Sequence, residues 1–387
     1  MRPSIRDLAD PLPLAKRLIE RRSVTPADDG CMSVLEDALE ALGFACRRLR
    51  FGEVENLYGR RGGAGPNLCY AGHVDVVPPG DEAAWSRAPF AAATNDGMLW
   101  GRGAADMKGG IACWTAALAR TLSRGEPAGS LSLLITGDEE GPAVDGTKRV
   151  VELLRAEGER IDGCVVGEPS SVAAVGDTLK IGRRGSLNAW ITVAGVQGHV
   201  AYPERAANPI PVLVRLLDRL QSRRLDEGWP EFPPSNLEVT TIDVGNPAGN
   251  VIPASAAARL NIRFNPAHRG ADLIGWLERE CGQAEDGFRG TVRLETALSG
   301  EAFLTQPGPL VESVSAAVEA VTGVAPVLST SGGTSDARFI RDLCPVLELG
   351  LVGTTIHQVD EHVPLAHLET LTTIYEAVIA RYFRAAA

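Results

Sequence analysis

Two hydrophobic patterns alternate along residues 30–180 of the chain. Apolar residues at three- and four-residue spacing predict helices, and short continuous apolar runs predict buried strands. The predicted helices cover 34–42, 110–123 and 147–157, and the predicted strands cover 66–71, 130–136 and 163–167. Helices that alternate with apolar strands predict a central sheet with helices on its faces.

The middle of the chain follows a different order: strand, helix, strand, strand, helix, strand. The strands are predicted at 187–193, 236–242, 258–264 and 291–294, with helices at 209–219 and 271–281. That order is typical of a small split βαβ sandwich. The pattern then returns to helix at 308–321, strand at 346–349 and helix at 367–383. We therefore predict an α/β domain interrupted by a separate inserted domain.

Composition narrows the class of protein. A chain of 387 residues exceeds what one core usually holds, which favours two domains. The formal net charge of −11, without a long basic run, argues against a nucleic-acid partner. No signal peptide or apolar membrane span is recognisable, so we expect a cytoplasmic protein that does not associate with a membrane. The seven cysteines are widely spaced and predict reduced core residues.

Acids and histidines occur where predicted strands end or in adjacent turns. They are His73, Asp75, Asp106, Asp138, Glu139, Glu140, Glu168, His357 and Glu361. Taken one at a time, each has a simpler explanation as a structural histidine, a helix cap or a solvated acidic run. Together, imidazole and carboxylate side chains are a ligand set that zinc accepts where cysteine is absent. The five segments predict a metal-dependent active site.

Eight segments resemble signature sequences of the M20 metallopeptidase family. They read GHVDVVP (72–78), GRGAADMKGG (101–110), TGDEE (136–140), GEPSS (167–171), KIGRRGSLNAWITVAGVQGHVAYP (180–203), GNVIPA (249–254), STSGGTSDARFI (329–340) and TIHQVDE (355–361). The likeness extends from about residue 15 to the C terminus. It is greatest to the branch that removes the succinyl group from N-succinyl-L,L-2,6-diaminopimelate. The long blocks at 183–203 and 329–339 are the most specific.

The resemblance implies a particular architecture. We expect a zinc-aminopeptidase-like catalytic domain of the α/β class, in which helices flank a central mixed sheet. An α+β, ferredoxin-like domain that serves as the dimerisation or lid domain would be inserted into it. The expected boundaries are 1–182 and 295–387 for the catalytic domain and 183–294 for the insert.

The resemblance also implies two zinc ions per subunit, with cobalt as an alternative in one site. His73, Asp106 and Glu168 would bind one ion. Asp106, Glu140 and His357 would bind the other, so that Asp106 bridges the pair. A cis peptide bond is expected after Asp106.

Three further residues have implied catalytic roles. Asp75 would orient His73, and Glu139 would be the general base for the attacking water. His199 would enter the partner subunit's active site and stabilise the oxyanion, which implies a homodimer. The simpler reading of His199 is a surface histidine in a turn.

Substrate contacts are implied for a third set of residues: Arg183, Tyr202, Asn250, Arg263, Gly333 and Thr334. Surface salt bridges are the alternative explanation for each arginine. Gly353 stands where similar enzymes often carry asparagine, which puts one substrate contact in doubt. His362 is rejected as a metal ligand, because the family's spacing of His and Glu fits His357 with Glu361.

Two rival functions share these motifs. A related deacylase, such as one acting on acetylornithine, or a metallo-dipeptidase would use the same metal site. A non-catalytic metal-binding protein is the other alternative, and it should have lost a ligand or the general base. Because Glu139 and every expected ligand are present, the sequence favours an amide hydrolase.

Overall fold

The computed structural model describes residues 3–63 and 65–385. These residues form two compact units. The larger unit contains the described residues up to Ile181, Thr305–Ser329 and the described residues from Ser335 onward. The smaller unit contains Gly182–Leu304 and Thr330–Thr334. The domain boundaries expected from the sequence stay a prediction.

A mixed sheet of eight strands runs through the larger unit. In spatial order the strands are Ala45–Phe51, Val54–Arg61, Ser130–Thr136, Asn67–His73, Gly163–Val166, Val346–Glu348, Thr178–Lys180 and Val327–Ser329. Every residue of the central strands Asn67–His73 and Ser130–Thr136 is buried. Strands buried on both faces read as continuous apolar runs rather than as an alternating pattern. The predicted α/β class with a central mixed sheet is confirmed.

Helices cover this sheet. They are Ile5–Leu8, Pro11–Ile19, Cys31–Ala41, Lys108–Leu122, Thr147–Ala156, Pro309–Thr322, Ala337–Ile340 and Leu365–Ala385. A short side sheet contains Ala93–Asn95, Met98–Trp100 and His362–Pro364, and a 3₁₀ turn covers Glu82–Ala84. Helix Lys108–Leu122 packs against the C-terminal helix through Trp114, whose ring stacks on Tyr70 at 4.8 Å and meets Tyr375 edge-on at 5.1 Å. These buried aromatic side chains fix one helix to the central strands.

The smaller unit is an antiparallel four-stranded sheet with two helices. Its strands, in spatial order, are Asn236–Asp243, Ser255–Phe264, Gly185–Ala194 and Thr291–Gly300. The helices are Pro209–Ser222 and Gly270–Glu285, and a 3₁₀ turn covers Pro203–Arg205. Short pairs join Gly198–His199 to Val251–Ile252 and Gly182–Arg183 to Phe303–Leu304. The four main strands and two helices confirm the predicted β-α-β-β-α-β order.

The two helices pack on one face of this smaller sheet, and burial therefore alternates along its strands. Along Gly185–Ala194, buried residues such as Leu187, Ile191 and Val193 alternate with more exposed ones. They pack with helix residues such as Leu216 in one apolar core. Across the described ranges of both units, no helix combines the length and the apolar composition that a bilayer crossing requires.

Candidate metal centre

Three parallel strands bring distant parts of the sequence to one edge of the large sheet. His73 ends the strand Asn67–His73 and pairs with Thr136, the last residue of the neighbouring strand. Strand Gly163–Val166 runs parallel on the other side. Because parallel strands end at the same edge, His73 lies near the acids that follow each neighbour. The sheet topology therefore gathers residues that are far apart in the chain.

A tight turn places Asp106 beside this edge. Gly103 has a positive φ of +86°, and a Cβ added there would lie 2.9 Å from a Val76 methyl carbon. Glycine is therefore required for the close approach. The backbone N–H of Lys108 donates to the Gly103 carbonyl at 2.9 Å, and the helix begins at Lys108. The Asp106–Met107 peptide bond is cis, as the resemblance implied.

The first candidate group consists of His73, Asp106 and Glu168. His73 Nε2 lies 3.1 Å from Asp106 Oδ1 and 3.7 Å from Glu168 Oε1. Glu168 Oε1 is buried and has no hydrogen-bond partner among the described residues. A buried carboxylate oxygen without a partner is unfavourable unless something else neutralises it.

The second candidate group shares Asp106 and adds Glu140 and His357. His357 Nε2 lies 2.9 Å from Glu140 Oε1 and 3.5 Å from Asp106 Oδ2. His357 has a positive φ of 62°, so its turn holds the side chain in an uncommon backbone conformation. The two oxygens of Asp106 therefore face different histidines, the arrangement expected of a bridging carboxylate.

Asp75 contacts more than its neighbour His73. The Asp75 backbone carbonyl lies 2.9 Å from His73 Nδ1, whereas its carboxylate oxygen lies 3.6 Å from the same nitrogen. The carboxylate instead accepts the backbone N–H groups of Glu139 and Glu140, at 3.2 and 3.0 Å. The acceptor nearest His73 Nδ1 is thus the Asp75 carbonyl rather than its carboxylate, and the carboxylate bonds to the backbones of the two glutamates.

The surrounding carboxylates raise the pKa of both imidazoles, His73 and His357. Burial alone would lower the pKa of His73, but the hydrogen bond and charge of Asp106 raise it well above the usual value. Hydrogen bonds to Asp106 and Glu140 raise the pKa of His357 to about 10. Each imidazole faces several carboxylates, which favour its positively charged form. The site therefore attracts positive charge.

Two partly buried glutamates, Glu139 and Glu168, are disfavoured in their charged forms. Burial raises the pKa of Glu139 well above its usual value, and the nearby negative charge of Asp336 adds to the effect. Burial also raises the pKa of Glu168, followed by the charges of Asp106 and Glu139. Neither carboxylate is stabilised in its charged form by the protein alone.

These features fit a pair of divalent cations. Tetrahedral zinc with bonds of about 2.0–2.2 Å places its ligand atoms about 3.3–3.6 Å apart. In each candidate group, the possible ligand atoms lie within 4.8 Å of one another. The donors are imidazole nitrogen and carboxylate oxygen, which zinc, cobalt and manganese accept. The uncompensated carboxylate charge and the unpartnered Glu168 oxygen fit the same conclusion.

The predicted substrate-binding residues all lie in the smaller unit. Arg183 is buried, and its guanidinium donates to the Ser331 carbonyl at 2.9 Å. A Cβ on Gly332 would lie 2.4 Å from that guanidinium, so glycine allows the loop containing Gly333 and Thr334 to approach Arg183. The structure thus brings Arg183 to this loop.

The remaining predicted contacts occupy two other places in the smaller unit. Arg263 is on strand Ser255–Phe264 and donates to Asn261 Oδ1 at 2.9 Å. Asn250 is exposed, and its carbonyl accepts the Val200 N–H at 3.1 Å. Tyr202 is 51% exposed, with its ring 5.8 Å from the His199 ring.

His199 is exposed on the smaller unit. Its Nδ1 accepts the Ala201 N–H at 3.1 Å, and Nε2 has no partner among the described residues. His362, rejected as a ligand, packs at a tilt against Trp100 with the ring centroids 4.3 Å apart, and its Nδ1 lies 2.8 Å from the Asp360 carbonyl. It belongs to neither candidate metal group.

Sequence reasoning gave no individual role to three residues near these sites. Asp336 is buried and acts electrostatically on Glu139. Arg184 adds a second charge beside Arg263. Glu361 is fully buried and contacts the turn that holds Asp106. All three lie within the recognised motifs, but only the folded chain reveals their neighbours.

A family model and a curated relative both match most of this chain. The model of peptidase family M20/M25/M40 matches residues 69–381. A curated relative named succinyl-diaminopimelate desuccinylase, from Caulobacter sp. (strain K31), is 65% identical over 376 residues. The match covers 97% of this chain and 97% of that protein.

Solved structures at lower identity have the same fold. Aminopeptidase PepT from Bacillus cereus gives a TM-score of 0.80 at 18% identity, covering 97% of this chain and 98% of that one. The YXEP protein of Bacillus subtilis, described as a dinuclear metal-binding peptidase of the M20 family, gives a TM-score of 0.71 at 15% identity. The match covers 96% of each chain. At such identities the likeness concerns the fold alone.

Proposed function

This chain belongs to peptidase family M20/M25/M40, and from that membership we propose that it hydrolyses the succinyl amide of N-succinyl-L,L-2,6-diaminopimelate. The products would be succinate and L,L-2,6-diaminopimelate, a step in the biosynthesis of diaminopimelate and lysine. The observation that carries the proposal is the assembly of two three-residue ligand groups around Asp106. The 65% identity to a desuccinylase, over 97% of each chain, supports the choice of substrate.

We propose that the two groups hold two zinc ions per subunit, with cobalt as an alternative in one site. His73, Asp106 and Glu168 would hold one ion, and Asp106, Glu140 and His357 the other. Bound there, the ions would polarise the amide carbonyl and acidify the attacking water.

Glu139 would be the general base. Its backbone N–H donates to the Asp75 carboxylate at 3.2 Å, and its side chain is partly buried. Burial and the charge of Asp336 raise its pKa, which makes its carboxylate a stronger base. Glu139 would take one proton from water as the C–O bond forms. It would then donate that proton to the amide nitrogen as the C–N bond breaks, so that the amine leaves neutral.

Arg184 and Arg263, both in the smaller unit, would bind a carboxylate of the substrate. Burial and then the charge of Arg184 lower the pKa of Arg263, so these two cations are close enough to repel each other. Their side-chain hydrogen bonds among the described residues go to neutral amide oxygens, from Arg184 to Asn236 and from Arg263 to Asn261, and Arg184 Nε is buried without a partner there. A bound carboxylate would offset the repulsion between the two cations and would give Arg184 Nε an acceptor. The proposed substrate carries three carboxylates, whereas acetylornithine carries one.

We further propose a cytoplasmic homodimer in which His199 stabilises the oxyanion in the partner's active site. The exposed position of His199 and the availability of its Nε2 support this role. Arg183, Tyr202, Asn250, Gly333 and Thr334 stay proposed substrate contacts.

Comparing two substrates tests the proposal. We expect the zinc-loaded protein to hydrolyse N-succinyl-L,L-2,6-diaminopimelate with a kcat/KM far above that for N-acetyl-L-ornithine. The physical reason is that unpaired cationic groups penalise a substrate lacking the matching carboxylates. A higher kcat/KM for acetylornithine would favour the deacetylase alternative instead.

A further inference from the structure

Glu361 accepts three backbone hydrogen bonds from the turn that holds Asp106. Its carboxylate Oε1 accepts the backbone N–H groups of Ala105 and Asp106, at 2.9 and 3.2 Å. Its backbone carbonyl accepts the N–H of Gly101 at 2.9 Å. One residue therefore restrains both the beginning and the end of the turn at residues 101–106.

The second carboxylate oxygen of Glu361 binds a buried arginine. Arg102 Nη1 donates to Glu361 Oε2 at 2.7 Å, and the two side chains are 3% and 0% exposed. Arg102 Nη1 also lies 3.2 Å from the backbone carbonyl of Gln358. A buried ion pair costs desolvation and is tolerated where several hydrogen bonds satisfy both partners. Here the bonds of the pair go to the two turns that flank the metal groups, while Arg102 Nε is buried without a partner among the described residues.

The second of these turns holds His357. Residues 357–361 are followed by the strand His362–Pro364, which pairs with Met98–Trp100 in register His362 with Trp100. The pairing brings the His357 turn beside the Asp106 turn. Since Asp106 belongs to both ligand groups and His357 to one, the geometry between the turns determines how the ligand atoms are spaced.

We propose that Glu361 is a positioning residue, which fixes Asp106 relative to His357 through its bonds to Ala105, Asp106 and Arg102. It does not touch the candidate metal positions itself, because its side chain is directed to backbone N–H groups and a guanidinium. This inference rests on the proposed metal centre. Groups that orient a metal ligand without contacting the metal usually contribute a factor of about 10–100 to metal affinity.

Glutamine at this position cannot make all of the same bonds. If the amide oxygen of Glu361→Gln accepts from Ala105 and Asp106, its NH₂ group faces the Arg102 guanidinium, donor against donor. If the amide is flipped, its NH₂ group faces two backbone N–H groups instead. Either orientation loses half of the network and leaves Arg102 without its counter-charge. The isosteric change therefore tests positioning without removing volume.

Zinc binding to the metal-free full-length protein is the test. The protein is stripped with a chelator and titrated with zinc in competition with a chromophoric chelator, with circular dichroism measured in parallel. We expect two ions to bind the unaltered protein, and Glu361→Gln to weaken at least one of them by about 10–100-fold. The visible absorption of the cobalt-loaded protein, which reports ligand geometry, is expected to change as well.

Asp226→Asn is the matched control. Asp226 is also a largely buried carboxylate that accepts backbone N–H groups, from Gly228 at 2.7 Å and Ser235 at 3.2 Å, but it lies in the smaller unit. Its substitution should lower stability and leave zinc affinity and the cobalt spectrum unchanged. A loss seen in Glu361→Gln and not in this control therefore reports on positioning.

The outcomes separate this inference from the function on which it rests. A folded Glu361→Gln protein with two normal zinc affinities and an unchanged cobalt spectrum would overturn the role of Glu361 alone. If that variant does not fold, Arg102→Lys decides in the same titration, because it keeps the cation and loses the planar guanidinium. Normal affinity and spectrum there would overturn the role too. An unaltered protein that binds no zinc would refute the metal centre and this inference together.

Discussion

At the scale of single residues, the neighbours of Glu139 account for its proposed chemistry. Asp75 fixes its backbone, and burial beside Asp336 raises the pKa of its carboxyl group. Glu140 is the adjacent residue, yet its carboxylate faces His357 at 2.9 Å. Two consecutive glutamates thus have different surroundings, and these favour a ligand role for one and proton transfer for the other.

Replacing the proposed base tests this division of roles. We expect Glu139→Gln to bind two zinc ions as before and to lose turnover by a factor of about 10²–10⁴, the usual contribution of a general base. Zinc stoichiometry and kcat measured on the same preparation check it. Near-normal kcat would remove Glu139 from the role, and lost zinc would make it part of the ligand set.

Sequence reasoning could select these residue types and could not assign their contacts. Alternation along a strand placed His73 and Asp75 on one side, and the structure does join them. The bond to His73 Nδ1, however, comes mainly from the Asp75 carbonyl, and the carboxylate binds residues 64 and 65 positions further on. Such long-range bonds depend on strand pairing, which local periodicity does not specify.

At the scale of elements, most helices and strands could be predicted because their hydrophobic patterns are strong. The fully buried strand Ser130–Thr136 is a largely apolar run followed shortly by acids, and its bounds match the prediction. The short pair Met98–Trp100 and His362–Pro364 was not predicted, since three residues carry too little periodicity. This unpredicted pair is the one that brings the His357 turn beside the Asp106 turn.

A loop of the smaller unit depends on one carboxylate, Asp226. It accepts bonds from Gly228 N–H at 2.7 Å, Asn265 Nδ2 at 2.7 Å and His268 Nε2 at 2.9 Å. Although burial opposes it, hydrogen bonds, led by that from Ser235, lower the pKa of Asp226 to about 2. The ionised carboxylate therefore stabilises the folded loop.

Replacing Asp226 should destabilise this unit in a pH-dependent manner. We expect Asp226→Asn to lower the free energy of unfolding by about 1–3 kcal/mol at pH 7, because buried donors lose a charged acceptor. Since the folded pKa lies below the unfolded value of about 3.9, the stabilisation is present above that value and is lost as pH falls towards 2. Urea unfolding of both proteins across pH 2–7 checks it. A difference that grows on acidification would contradict the account.

At the scale of the whole molecule, the larger unit is assembled from separated parts of the chain. His73 precedes the smaller unit in sequence and His357 follows it, yet both face Asp106. The family resemblance implies that both histidines are metal ligands. Their convergence depends on the strand order of the eight-stranded sheet, in which Val346–Glu348 lies beside Gly163–Val166.

The proposed sharing of active sites between subunits is a property of the assembly. We expect His199→Ala and Glu139→Gln chains, each nearly inactive alone, to recover activity when mixed, because a heterodimer would contain one intact composite site. Turnover measured after verified subunit exchange checks this. Exchange without recovery would argue that His199 acts within its own subunit or not at all.

The most direct test of the whole account is reconstitution of the metal-free protein with zinc. We predict that the stripped protein does not hydrolyse N-succinyl-L,L-2,6-diaminopimelate, and that activity reaches its full value at two zinc ions per chain. Those ions would occupy the two groups around Asp106. Full turnover without metal, or zinc binding that leaves the protein inactive, would contradict it.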